Sequence, residues 1–190
     1  MKKPFDNVYK KYDSFMKFWK LYRTDLIIGM LGLCGCENIC DVGGGTGYLA
    51  ERLSSHCSKV YVVDESAGML SLVNADEKVI PVKTDALQTG FADNTFDVVI
   101  LSDVYHHIKE SDLLILEVKR ILKPGGILLI HDFDLKKLRT KILRVFEARL
   151  FGELYYCTAA QIRQKLSGYG FSELNTLIKG NYFIITWRKA

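Results

Sequence analysis

An α/β domain with a mostly parallel sheet is the fold this sequence predicts, on three observations. The apolar segment Asn38-Ile39-Cys40 runs through Asp41 and Val42 into Gly43-Gly44-Gly45-Thr46-Gly47, and a helix-forming run from Tyr48 to Leu53 follows, which reads as strand, tight turn, helix. Short apolar segments recur at Lys59 to Val63, Val79 to Val82 and Phe96 to Leu101, each running out into polar residues. Near the end, extended segments at Glu173 to Ile178 and Tyr182 to Trp187 flank Lys179-Gly180-Asn181, the pattern of a closing hairpin.

Composition bounds the rest. With 190 residues, 48% hydrophobic and 25% charged, the chain predicts one domain over residues 1–190 with a real core. No apolar run is long enough to span a bilayer, and Met1-Lys2-Lys3-Pro4 is not followed by a signal peptide's apolar stretch, so a cytoplasmic protein is expected. A net charge of +4 permits an anionic partner without arguing for one. The five cysteines are an odd number, which suits free thiols better than a disulfide framework. Cys34, Cys36 and Cys40 lie close together, yet no second cysteine pair or histidine pair completes a four-ligand zinc pattern, and no metal is expected.

Residues 1–35 carry Phe5, Tyr9, Tyr12, Phe15, Phe18, Trp19 and Tyr22 among lysines at helical spacing. They predict a helical cover over the sheet that also closes on the site; a basic strip with interleaved aromatics is also a nucleic-acid pattern, but packing accounts for the aromatics equally well. In the following turn, glycines let a ligand approach the backbone and permit positive φ angles. Asp41 can hydrogen-bond the glycine amides or accept from a ligand's ammonium group, whereas beside a pyrophosphate it would be repulsive. The second strand ends in Asp64-Glu65, about twenty residues beyond the glycines, where a βαβ unit places the acceptor for ribose hydroxyls, and Asp64 takes that role.

The string Asp41-Val42-Gly43-Gly44-Gly45-Thr46-Gly47 resembles the first motif of the class I S-adenosylmethionine-dependent methyltransferases, a family whose loop wraps the methionine end of the cofactor. Its glycines alone also satisfy a relaxed dinucleotide fingerprint, so the later motifs carry the distinction. Ser66-Ala67-Gly68-Met69-Leu70 is similar to the family's helix start, with Ser66 as cap and Met69 or Leu70 beside the adenine. In the resembled family an acid after strand three receives the adenine amino group and the next amide meets a ring nitrogen, which implies Asp85 and Ala86. The run Phe91 to Ile100 matches the family's turn into strand four, which ends at Leu101-Ser102, and Arg120-Ile121-Leu122-Lys123-Pro124-Gly125-Gly126 resembles its turn into strand five. A pre-core tyrosine such as Tyr12 lies near the cofactor in related proteins.

Beyond strand four, Ser102-Asp103-Val104-Tyr105-His106-His107-Ile108 is similar to a histidine-containing segment of small-molecule methyltransferases, including the quinone-biosynthesis-like group. Ligands of open α/β sheets lie beyond the carboxyl ends of strands, so His107 and His106 are the candidate proton acceptors, with hydrogen bonding at a helix start as the plainer role. Ser111 is the expected cap of a helix through Leu122, and Thr158 with Gln161 has capping-box spacing. His131 and Asp132 emerge on the ligand side, to touch substrate or to cap. The basic amphipathic stretch within 133–157, with Leu138, Ile142, Phe146 and Leu150 three or four apart, stands where relatives place substrate-binding additions, and it brings in Tyr155 and Tyr156.

The resemblance implies a Rossmann-like seven-stranded mostly parallel sheet with helices on both faces and a C-terminal antiparallel hairpin. Residues 36–190 would be the cofactor-binding core. The chain would bind S-adenosyl-L-methionine through Asp41, Gly43, Gly45, Gly47, Asp64, Glu65, Met69, Asp85, Ala86, Ser102 and Tyr12, and release S-adenosyl-L-homocysteine. Without an asparagine-proline-proline-tyrosine-like segment, a small-molecule acceptor is expected in place of nucleic acid. A non-catalytic cofactor-binding subunit and an NAD-dependent oxidoreductase are the alternatives.

Overall fold

The computed structural model describes residues 23–135, 137, 140–141, 145, 148–149 and 152–190. In chain order the elements are α1 (Thr24–Leu31), β1 (Asn38–Val42), α2 (Tyr48–Leu53), β2 (Lys59–Asp64), α3 (Ala67–Leu70), β3 (Val79–Lys83), β4 (Phe96–Ser102), a 3₁₀ turn (Tyr105–His107), α4 (Ser111–Ile121), β5 (Leu122–Phe133), α5 (Ala159–Gly168), β6 (Phe171–Lys179) and β7 (Tyr182–Lys189). The strands form one seven-stranded sheet in the order β3-β2-β1-β4-β5-β7-β6. The pairs from β3 to β5 are parallel, whereas β7 runs antiparallel to both β5 and β6. The mostly parallel sheet and its closing hairpin are those the sequence predicts.

Alternation within the strands divides the core between the two faces. Ile39, Val60, Val62, Ile100, Leu129 and Ile184 pack with Ile27 and Leu31 of α1 and Leu49 and Leu53 of α2. Cys40, Val99, Leu101, Leu128, Ile130, Ile185 and Trp187 pack with Leu114 and Val118 of α4 and Ile162 and Leu166 of α5. Burial on both faces is why β1 and β4 read as continuous apolar runs, and helices on both faces follow from it.

Local chemistry accounts for the element ends. The Ser66 hydroxyl accepts from the Met69 amide at 3.1 Å, and Thr158 forms a full capping box with Gln161. Ser111 differs from expectation: Glu110 occupies the N-cap position, and the Ser111 hydroxyl instead accepts from Lys165 Nζ at 2.7 Å. Strand five also starts earlier than its apolar run. Leu122 pairs with Phe96 and Ile127 with Val98, so Lys123 to Gly126 bulge out of a continuous ladder. Arg120 locks this corner, donating to Glu117, to the Phe91 carbonyl and to Asp93 at 2.7–2.8 Å.

Among the described residues no helix is long and apolar enough to cross a membrane. The aromatic cover from Phe5 to Tyr22, including Tyr12, and the residues Leu138, Ile142, Phe146 and Leu150 lie outside the described residues.

Candidate active site

The parallel register brings the tips of β3, β2 and β1 side by side. Asp41 is opposite Val62, Asp64 is opposite Lys83, and Asp85 follows two residues beyond β3. The turn after β1 is fastened to its neighbour. The amides of Gly43 and Gly44 donate to the Val63 carbonyl at 2.7 and 3.1 Å, and that of Gly45 donates to Asp64 Oδ2 at 3.1 Å. Asp64 Oδ1 also accepts from the Ser66 amide at 2.8 Å.

Glycine is required in this turn for steric reasons. Gly43 has φ +71°, and a Cβ there would stand 2.3 Å from a Val104 methyl. A Cβ on Gly44 would meet Asp41 Oδ2 at 2.8 Å and Val62 at 2.9 Å. Because the amides of Gly43, Gly44 and Gly45 are engaged within the protein, they do not form the open cradle a pyrophosphate uses. Of the two roles open to Asp41, hydrogen bonding to these amides is not the one found.

Asp41 is buried, and among the described residues its Oδ2 has no hydrogen-bond partner. Burial first, and then the charge of Asp64, push its carboxyl up to about 7. A buried acceptor left without a donor calls for one from a ligand. Asp41 faces a cleft that it shares with Arg23, the glycine turn, Tyr48, Ser102, Asp103 and His131. The Arg23 guanidinium is 4.5 Å from the centre of the Tyr182 ring. A carboxyl and a guanidinium in one cleft suit a zwitterionic amino-acid end, so the residues present fit the methionyl portion of S-adenosylmethionine.

Other expected cofactor residues lie farther along the same sheet edge. Gly43, Gly45 and Ser102 line the cleft, whereas Gly47, Asp64, Glu65, Met69, Asp85 and Ala86 do not. Gly47 is the N-cap of α2, and Met69 is buried with its sulfur 4.0 Å from where a Gly45 Cβ would be. Glu65 is half-buried, Asp85 is exposed and Ala86 is half-buried. Asp85 Oδ1 accepts from the Leu87 amide at 2.8 Å.

The tips of β4 and β5 are built differently. His106 is fully buried; its Nδ1–H donates to Asp132 Oδ1 at 2.8 Å and its backbone amide to Asp132 Oδ2 at 3.2 Å. The His106 ring stacks on Tyr156 at 4.2 Å and lies 4.2 Å from the His107 ring. Its carbonyl accepts from the Tyr155 amide at 2.6 Å, which fastens the segment after β5 to the 3₁₀ turn. His107 is half-buried, and burial followed by the neighbouring His106 holds its basicity well below the ordinary histidine range.

His131 is buried beside the cleft and shares a 3.1 Å hydrogen bond between its Nδ1 and Ser102 Oγ. Burial lowers its pKa to about 4, so it is neutral near pH 7. Asp132, read from sequence as a substrate contact or cap, is the anchor of His106. Tyr155 lines a separate hollow with Tyr105, Ile108, Cys157 and Lys165. Sequence reasoning missed Arg23, and it placed Asp103 in the segment bordering the site without giving it a role of its own. Arg23 occupies the N-cap of α1, where a small polar residue is usual, and that mismatch was its available signal. Asp103 adopts φ +61°, a left-handed backbone at the cleft that its residue type alone does not announce.

Comparison with known proteins agrees with this geometry. Residues 40–130 match a family model described as a methyltransferase domain. The chain is 31% identical over 135 residues to a demethylmenaquinone methyltransferase of Renibacterium salmoninarum, covering 68% of this chain and 57% of that protein. It is 30% identical over 148 residues to a ubiquinone/menaquinone biosynthesis C-methyltransferase of Saccharophagus degradans, again covering 68% and 57%. The chain thus spans 57% of the length of each of these relatives. A SAM-dependent methyltransferase structure from Aquifex aeolicus shares the fold, with a TM-score of 0.79 and 21% identity over 97% of this chain and 98% of that one. With the motif order, the engaged glycine amides and the unmet acidic acceptor at the end of β1 all in agreement, the chain is similar in sequence and fold to the S-adenosylmethionine-dependent methyltransferases.

Proposed function

We propose that this chain transfers the methyl group of S-adenosylmethionine to a small-molecule acceptor of the quinone or quinol class. The observation that carries the reading is the buried, unpartnered Asp41 carboxylate facing a cleft that also contains Arg23. Neither an NAD site nor a phosphate cradle calls for that arrangement. The acceptor class is supported by the named activities of the Renibacterium and Saccharophagus relatives.

When bound, the cofactor supplies an activated methyl group on a sulfonium, so no covalent protein intermediate is required. Asp41 would accept from the cofactor's ammonium group and Arg23 would donate to its carboxylate. Asp64, whose two oxygens accept from the Gly45 and Ser66 amides, would take the ribose hydroxyls. Glu65 stands next to it at the strand end. Asp85 and the Ala86 amide would read the adenine, with Met69 beneath it, while the Gly43 to Gly47 turn and Ser102 border the methionyl end. Tyr12 would complete the cover.

Of the two histidines, His107 is the candidate proton acceptor for the methyl acceptor's hydroxyl, because it retains exposed surface whereas His106 is fully buried. His106, with Nδ1 directed to Asp132 and its ring stacked on Tyr156, would position His107. A small quinol suits the site better than a nucleic acid, and single-chain turnover in a cytoplasmic setting separates this reading from a subunit that only binds cofactor.

Isothermal titration with S-adenosylhomocysteine and with NAD, followed by transfer of labelled methyl to a demethylmenaquinol analogue, tests the proposal. Binding of S-adenosylhomocysteine alone and label in the quinol are expected. NAD binding would overturn the cofactor reading. Cofactor binding with turnover only on a macromolecular acceptor would overturn the acceptor class.

A further inference from the structure

The edge of the sheet opposite the cleft carries a second concentration of reactive side chains. Between α1 and β1, Cys34 and Cys36 are exposed, and their sulfurs are 2.8 Å apart. The Glu37 carboxylate is bound to the same turn, accepting from the Cys34 amide at 2.8 Å and from the Gly35 amide at 3.0 Å. Gly35, at φ +96°, gives the chain the sharp reversal that puts both thiols on one side. One ligand atom from each of Cys34, Cys36 and Glu37 lies within 4.8 Å of the others.

This arrangement differs from the cysteine grouping visible in the sequence. Cys40 is fully buried within β1, and Glu37 takes the third position beside Cys34 and Cys36. Among the described residues no lysine or arginine forms an ion pair with Glu37; the nearby Lys123 is engaged with Asp97 Oδ1 at 2.6 Å. Helix α1 has no basic residue in its last turn, so its carbonyl end meets no side-chain cation of its own.

We propose that Cys34, Cys36 and Glu37 form a site for a thiophilic divalent cation of the zinc class, with water as the fourth ligand. Two sulfurs and one carboxylate are a donor set that Zn²⁺ and Cd²⁺ prefer over Mg²⁺ or Ca²⁺. The amides of Cys34 and Gly35 orient the carboxylate ligand, as outer-shell hydrogen bonds do in metal sites. On binding, the cation displaces the thiol protons into solvent, and two negative sulfurs then surround a positive centre in place of a shared proton. The site would fasten the turn that joins α1, whose other end carries Arg23 into the cofactor cleft.

Titration of the reduced full chain with Cd²⁺, followed by the sulfur-to-cadmium charge-transfer absorption and then by Zn²⁺ competition, tests this. One equivalent is expected, displaced by Zn²⁺ and unaffected by excess Mg²⁺. Cys34→Ser and Cys36→Ser should each weaken binding by about 100-fold or more, and Glu37→Gln by roughly tenfold. In the wild-type chain, Zn²⁺ should protect Cys34 and Cys36 from alkylation, read by mass mapping, without changing the labelling of Cys157. A charge-transfer band that survives in the Cys34→Ser/Cys36→Ser double variant, no band at one equivalent, or unprotected alkylation of these two thiols would each overturn the site.

Discussion

The strand tips on the two sides of the β1–β4 pair handle buried polar groups in opposite ways. At β1 and β2, carboxylates are met by backbone amides, as Asp64 is by Gly45 and Ser66, 19 and 2 residues away. Asp41 alone is left with an oxygen unmet, and it faces the cleft. At β4 and β5, side chains meet one another across strands, Ser102 with His131 and His106 with Asp132, separated by 29 and 26 residues respectively. The first arrangement leaves an acceptor for a ligand to complete; the second ties side chains distant in sequence into a wall, with His131 Nε2 still unmet beside the cleft among the described residues. A site that must bind a cation and then position an acceptor uses both.

The wall should be the more fragile of the two. Asp132→Ala strands three buried donors, the His106 ring, its amide and the Phe133 amide, and should cost about 3–5 kcal/mol in chemical denaturation. A loss below about 1 kcal/mol would show that the wall does not depend on that carboxylate.

The turn comes next. Gly43→Ala combines a left-handed backbone with a Cβ inside the van der Waals radius of Val104, for an expected loss of about 2–4 kcal/mol and of cofactor binding. Retained binding of S-adenosylhomocysteine in this variant would contradict the steric account. Asp64→Ala should weaken S-adenosylhomocysteine about tenfold or more in titration calorimetry, since a charge-assisted hydrogen bond contributes about 1.5–3 kcal/mol. Equal affinity in a folded variant would remove Asp64 from the ribose.

Titration sharpens the contrast further. Asp41, raised from 3.8 to about 7, binds its proton more tightly folded than unfolded, so it makes stability fall as pH rises from about 4 to about 7. His131, lowered from 6.5 to about 4, has the opposite sign: the unfolded chain protonates first, and stability rises with pH over that window. The two oppose each other up to pH 6.5, and only the Asp41 decline remains from there to about 7. Asp41→Asn should therefore leave a rise from pH 4 to 6.5, stabilise the unliganded chain at pH 7 and weaken S-adenosylhomocysteine. A pH–stability curve identical to wild type would refute the burial of that charge.

The smallest effect on stability should come from His107→Ala, which removes no hydrogen bond of the wall described above. Turnover should slow more than cofactor affinity falls. Because His107 is held well below the ordinary histidine range, wild-type activity should persist as pH drops through 6.5. Loss of activity centred on 6.5 would place the responsible proton elsewhere.

Much of the fold was legible because its signals are local. Continuous apolar runs marked β1, β2 and β4, Ser66 and Thr158 marked helix starts, and Gly180 lies in the turn between β6 and β7. The start of β5 was not legible, since Leu122 enters the ladder through a pairing with Phe96 and only then bulges. Ser111 misled for a similar reason: its hydroxyl answers to Lys165, 54 residues away.

By itself the sequence determined the order of strands and helices and the placement of Asp41, Asp64 and Asp85 at or just past strand ends, because period-2 alternation, caps and glycine turns act over a few residues. Only the tertiary structure decided that Arg23 faces Asp41 across one cleft, that Asp132 holds His106, and that Glu37 joins Cys34 and Cys36 in place of Cys40. Those pairings depend on strand register, turn geometry and burial. The first two join residues whose distances are set by the packed sheet and not by their spacing along the chain, whereas the third is set by the turn at Gly35.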